Sequence, residues 1–320
     1  MRWNGAEATH WNGLATLTLS DDFNESLDGT TLPDSLLSLT FGRSFNQSLD
    51  SATLPSGLWR LTFGFEFDMS LNNTTLPSGL KSLTFGHSFN QDLSDTTLPS
   101  GLQNLTFGCE FNRGLLWTQF PSGLVSLVFG RNFNKPLFRG TLPYGLSSLV
   151  FGDHFNQSLD LACGSILPTG LKNLTLGDDW TQPLSTETLP IGLRSLVFGR
   201  KFRQPLIDVE LPRGLQSLTL GDSWNHFIGT VNLPEGLKNL TFWKHFNRQL
   251  YGTTLPDGLE SLTFGENWNC SLGVTNLPPG LIHLTFGGRF NQSLDTATFP
   301  DRAFKKRRVQ SEDPDDTIDL

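Results

Sequence analysis

Six apolar positions recur every 22 residues along this chain, and the positions between them are small, polar or turn-forming. The stretch 76–97 shows the unit at its cleanest, L-P-S-G-L-K-S-L-T-F-G-H-S-F-N-Q-D-L-S-D-T-T. Counted from the residue before the proline, column five is Leu in thirteen successive units, and so is column eight. Column ten is Phe or Leu, column fourteen Phe or Trp, and column eighteen Leu with one Ile, Ile228. Strict alternation appears only around column eight: Ser82 outward, Leu83 inward, Thr84 outward, Phe85 inward, then Gly86. That pattern predicts a short strand closed by a turn. Helices do not fit, because most units carry proline in column two and glycine in columns four and eleven, both poor in a helix interior.

The prolines keep the register. From Pro33 to Pro300 every gap is 22 residues except one of 25, lengthened by Leu161, Ala162 and Cys163. A fixed period in this range marks a stacked array in which each repeat contacts its neighbours. One strand per unit, stacked at about 4.8 Å, predicts a mostly β fold: a parallel β-solenoid of about thirteen repeats with little or no helix. The expected boundaries are a leader over 1–9, the repeat array over 10–300 and a disordered charged tail over 301–320. A fourteenth unit starts at Phe299-Pro300 and loses the pattern at once. The insert is expected to loop outward, since core columns resume at Leu167 and Leu171.

Two columns hint at how the interior packs. Where column fourteen is Trp180 or Trp224, column ten shrinks to Leu176 or Leu220, although Trp268 keeps Phe264. Conserving volume across such a pair is what a close-packed core demands, so columns ten and fourteen are expected to touch. Asn holds column fifteen in ten of thirteen units, from Asn24 to Asn291. An Asn ladder of this kind would satisfy backbone groups of the turns down the stack.

The segment Leu80-Lys81-Ser82-Leu83-Thr84-Phe85 resembles the strand of a leucine-rich repeat. The whole unit is more similar to the FNIP repeat: Phe129-Gly130-Arg131-Asn132-Phe133-Asn134-Lys135-Pro136-Leu137 follows its F-G-x-x-F-N-x-P-I/L wording, and L-P-x-x-L completes it. The resemblance covers residues 10–300 and implies a curved solenoid with its sheet on one side and a protein-interaction role. FNIP arrays sometimes follow an F-box; the nine residues before the first unit are too few for one, so no adaptor role is expected from this chain.

Charge and composition narrow the partners. Lys and Arg number 23 against 31 Asp and Glu, a net charge of −8, which argues against non-specific nucleic-acid binding, a matter of neutralising phosphates. No run of eighteen apolar residues exists to span a membrane, and Met1-Arg2-Trp3-Asn4-Gly5 lacks the apolar core of a signal peptide. Cys109, Cys163 and Cys270 are too far apart along the stack for disulfides, so a reducing cytoplasmic setting is expected. Lys305, Lys306, Arg307 and Arg308 form a basic run compatible with nuclear import. The ten N-x-S/T sequons fall out of two repeating columns and imply no glycosylation by themselves. No catalytic or metal-binding motif stands out among the six histidines and the many glycines, so neither an enzyme nor a cofactor is expected.

The leading expectation is therefore a non-catalytic scaffold for protein–protein interaction. A structural solenoid without a dedicated ligand, associating end to end, is one alternative. Another is a binding surface for ordered water or carbohydrate made by the threonines that hold column nine in ten of thirteen units. For a binding site the informative residues are those that break a polar column with a large group. Trp59, Arg60 and Phe65 do so in the third unit, and Leu37 shares the column of Trp59 one turn earlier. Trp and Arg lead the residue types that carry interface energy.

Overall fold

The computed structural model describes residues 13–161, 164–273, 275–294 and 307–308. The chain divides into two compact units, 1–171 and 172–320. In the first, strands β1 (Thr16–Thr18), β2 (Ser38–Thr40), β3 (Arg60–Thr62), β4 (Ser82–Thr84), β5 (Asn104–Thr106), β6 (Ser126–Val128) and β7 (Ser148–Val150) pair in parallel, each with the next. The register is the sequence period itself: Leu17 faces Leu39, Leu39 faces Leu61 and Leu61 faces Leu83. After β7, two short strands pair antiparallel, β8 (Asp160–Leu161) with β9 (Gly164–Ser165); Ala162 and Cys163 of the insert lie outside the described residues. The core resumes directly after it, with Ile166, Leu167 and Leu171 buried.

The second unit repeats the arrangement with β10 (Asn173–Thr175), β11 (Ser195–Val197), β12 (Ser217–Leu220), β13 (Asn239–Phe242), β14 (Ser261–Thr263) and β15 (His283–Phe286), again parallel and in the 22-residue register. Each unit is thus a parallel β-solenoid. Among the described residues the helical content is one 3-10 turn, Ile228–Thr230. A two-residue strand, β16 (Arg307–Arg308), pairs through its backbone with Thr285 and Phe286, the register a fourteenth repeat strand would take. The rest of the expected charged tail, with Lys305 and Lys306, lies outside the described residues.

Three tight turns complete the typical repeat. In the fourth repeat they close by Leu80 N–H to Pro77 O at 3.0 Å, Phe89 N–H to Gly86 O at 3.4 Å and Thr96 N–H to Leu93 O at 3.2 Å. Proline presets the first of these by fixing its own φ. Leucines of columns five and eight are buried at essentially zero exposure from the second repeat onward. Columns ten and fourteen do touch: Phe85 stacks on Phe89 with ring centroids 3.7 Å apart. Each ring also faces its equivalent in the next turn, Phe63 to Phe85 at 5.6 Å and Phe67 to Phe89 at 6.1 Å. Two aromatic columns therefore run through the interior. Trp268 lies on Phe264 at 3.9 Å, so a tryptophan in column fourteen does not require leucine in column ten. The buried indoles keep their N–H groups satisfied, Trp224 Nε1 donating to Gln204 O at 3.1 Å and Trp268 Nε1 to Arg248 O at 3.0 Å, as burial of a polar tip demands.

Column fifteen is a hydrogen-bond ladder. Asn46 N–H donates to Asn24 Oδ1 at 2.9 Å, Asn112 N–H to Asn90 Oδ1 at 3.0 Å, Asn134 N–H to Asn112 Oδ1 at 3.0 Å and Asn156 N–H to Asn134 Oδ1 at 2.9 Å. Asp68 serves in the same place, accepting from Asn90 N–H at 2.8 Å. What the position needs is a short side chain with an acceptor oxygen. Asn112→Ala should therefore destabilise the first unit by about 1–3 kcal/mol, since it orphans the Asn134 N–H. Asn112→Asp should cost far less, as Asp68 shows. Urea unfolding of the two variants checks this, and equal losses would refute the ladder.

Candidate functional site

Each strand presents columns seven and nine outward. Column nine is half-buried and in register, Thr40 opposite Thr62 and Thr62 opposite Thr84, so the threonines of the first unit do form a row. Threonine is also a favourable strand residue on an open face. Columns six and twelve border this face, one before the strand and one after the turn glycine.

The structure brings three of the four sequence-nominated residues together. Trp59 N–H donates to Leu37 O at 2.9 Å and Lys81 N–H to Trp59 O at 2.8 Å, so Leu37, Trp59 and Lys81 form one row at the entry to the strands. Leu37 is 43% exposed and Trp59 41%. Arg60, the first residue of β3, lays its guanidinium over the Trp59 indole, 4.9 Å from the ring centroid. An exposed arginine held over an aromatic face is partly ordered in advance of binding.

Phe65 stands at the other margin of β3, past Gly64. Its ring is sandwiched in column twelve, with the Arg43 guanidinium 4.6 Å from its centroid and the His87 ring stacked at 4.3 Å. His87 Nε2 in turn lies 4.0 Å from Glu110 Oε1. Both faces of Phe65 are thus covered and mainly its edge is presented. Leu37, Trp59 and Arg60 form a cluster, whereas Phe65 belongs to a second row.

A further group was not singled out from the sequence. Leu116, Trp117 and Phe138 are 51%, 71% and 41% exposed, in the turn that follows column eighteen. The signal was present: Ser94 and Asp95 hold columns nineteen and twenty in the fourth repeat, where the fifth has Leu116 and Trp117. The rule that selected Trp59 selects these residues too, once applied to those columns.

No group of His, Cys, Asp and Glu among the described residues is arranged to hold a metal ion. Cys109 and Cys270 are free thiols; Cys163 lies outside the described residues. Burial pushes the Cys270 thiol up, against a smaller opposing pull from Arg248, and its Sγ donates to Asn247 Oδ1 at 3.3 Å. It is therefore a poor nucleophile at neutral pH. No helix among the described residues is long and apolar enough to cross a membrane.

Comparison with known proteins bears on the repeat and on the fold. No curated protein sequence matches the chain. Among solved structures, the circular LRR protein CroV588 is 36% identical with a TM-score of 0.84 over 92% of this chain, which spans only 43% of that protein. YopM from Yersinia enterocolitica WA-314 is 22% identical, TM-score 0.54, over 87% of this chain and 61% of YopM. An internalin (inlF) from Listeria monocytogenes is 17% identical, TM-score 0.51, over 93% of this chain and 87% of the internalin. The last two share the leucine-rich-repeat-like fold alone. The profile described as FNIP Repeat matches ten segments, overlapping for the most part, between residues 23 and 303. With that profile repeated along most of its length, the chain belongs to the FNIP repeat family.

Proposed function

We propose that this protein is a non-catalytic scaffold that binds another protein through the open face of its first unit. The observation that carries the reading is the cluster of Leu37, Trp59 and Arg60 at the entry margin of β2 and β3, where a tryptophan and an arginine held over it stand on a face lined mainly by serine, threonine and asparagine. Exposed apolar groups rimmed by polar ones mark contact sites, and Trp with Arg supplies most of the energy there. The repeat architecture supports a protein partner, since stacked repeats build extended binding faces. The backbone of Arg307–Arg308 occupies the free edge of β15, which opposes strand-on-strand association at that edge. Free Cys109 and Cys270 are consistent with work in the reducing cytoplasm, which fractionation of cells would check.

Pull-down with the wild-type chain and with Trp59→Ala is the test, both confirmed folded by circular dichroism. A partner held through this margin should bind at least about tenfold more weakly to the variant, the loss of one hot-spot side chain. Arg60→Glu should weaken it similarly. Phe65→Ser should have the smaller effect, because Arg43 and His87 already cover that ring. If every captured protein is retained by Trp59→Ala at equal affinity, the open face of β2 and β3 is not the binding surface.

A further inference from the structure

The flank formed by the turns after column eighteen is closed in some repeats and open in others. In the third and fourth repeats a buried threonine ties it to the previous turn: Thr74 Oγ1 donates to Asp50 Oδ1 at 3.0 Å and Thr96 Oγ1 to Asn72 Oδ1 at 2.8 Å. At the fifth repeat the tie is missing. Thr118 is buried in the same column, at 7% exposure, yet its Oγ1 has no hydrogen-bond partner. Here the turns of the fifth and sixth repeats part to leave a groove of about 220 Å³ lined by Leu116, Thr118, Phe120, Phe138, Arg139 and Pro143 among others. A buried hydroxyl without a partner is costly, and it marks the place where the turns pack less closely than in the repeats before.

The charge around the groove is equally local. The chain is acidic overall, but from column sixteen to column twenty the fifth and sixth repeats carry Arg113, Lys135 and Arg139 and no acid. Arg113 Nε donates to Asn90 O at 2.7 Å; no ion pair among the described residues engages Lys135 or Arg139. The adjoining repeats carry Asp92 and Asp95 on one side and Asp160 on the other, so the positive charge is confined to these two turns. A largely polar groove with Arg139 in its wall, the exposed side chains of Leu116 and Phe138 at its margin and no acid in either turn suits one kind of occupant.

We infer that this groove docks an extended acidic polypeptide segment of a partner protein, with a bulky apolar side chain seated against Leu116 and Phe138 and carboxylates meeting Arg139, while Lys135 of the same repeat adds to the positive field. The site is separate from the open sheet face and does not rest on it. Two cations, Lys135 and Arg139, are few for a phosphate backbone, which binds through many Lys and Arg contacts, and this favours a short polypeptide segment over nucleic acid.

The probe is a short labelled peptide of aspartates and glutamates around a central Trp-Leu pair, titrated against the full chain by fluorescence anisotropy. Binding should be saturable and should weaken as salt screens the charges. Phe138→Ser and Arg139→Glu, both at exposed positions and checked for fold, should each weaken it at least about tenfold, whereas Trp59→Ala should leave it unchanged. The inference is overturned if a peptide with lysines in place of the acids binds as well, if the acidic peptide without Trp-Leu binds as well, or if both groove variants keep full affinity. It is equally overturned if an oligodeoxynucleotide binds as tightly with the same sensitivity to Arg139→Glu.

Discussion

Gly108→Ala should destabilise the first unit by at least about 3 kcal/mol, although it adds a single methyl group. A Cβ at Gly108 would fall well inside van der Waals contact with the Gly86 carbonyl of the turn before. The atoms in the way are backbone, so nothing can swing aside. The same holds down the column, with Gly64 against Gly42, Gly86 against Gly64 and Gly130 against Gly108. Glycine is required here by the close approach of stacked turns and not by a left-handed φ. Gly114→Ala is the control, because a Cβ there meets nothing within 4 Å; its effect should stay within about 0.5 kcal/mol. Urea midpoints read both variants. Equal midpoints for Gly108→Ala and Gly114→Ala would sink the close-approach account. Column eleven is not glycine throughout: Trp243 occupies it after β13, where β12 and β13 each run to four residues and Leu220 pairs with Phe242.

Phe89→Ala should cost about 3–5 kcal/mol. The ring has zero exposure and contacts Phe85 at 3.7 Å, Phe67 at 6.1 Å and Phe111 at 6.1 Å between centroids. Removing it leaves a void in both aromatic columns, and neighbours tied into the 22-residue register on either side have little freedom to close it. Leu116→Ala, at an exposed position, should fall within about 0.5 kcal/mol by comparison. Thermal and urea unfolding of the full chain measure the difference. A loss for Phe89→Ala no larger than that for Leu116→Ala would show that the aromatic columns do not hold the turns together.

Much of the candidate site was legible at the level of single residues and less so in its grouping. Trp59, Arg60, Leu37 and Phe65 stood out because each breaks a column of small or polar residues, and all three large apolar ones are exposed. Their grouping depended on distance in space. Strand β3 separates Trp59 from Phe65, and Phe65 meets Arg43 and His87, its equivalents one turn away on either side. The groove at Leu116 and Phe138 was harder to read. Its orphaned hydroxyl at Thr118 is defined by bonds that Thr74 and Thr96 make and Thr118 does not, and those depend on how far one turn sits from the next.

The repeat period, the strand at column eight, the inward leucines and aromatics and the parallel register were all determined by the sequence alone. The reason is that thirteen copies of one pattern leave a single way to align strand on strand without turning a leucine outward. Column fifteen was equally readable as a ladder, because Asn recurs where a turn must find an acceptor. The tertiary structure alone decided three things. It showed that column-eleven glycines answer to the carbonyl of the preceding turn, a contact between residues 22 apart. It paired Asp160–Leu161 antiparallel with Gly164–Ser165 on either side of the insert and drew Arg307–Arg308 into register beside β15, where sequence composition had suggested only a solvated tail. Each is a matter of backbone packing against backbone, and a sequence records side chains far more plainly than it records how closely two turns approach.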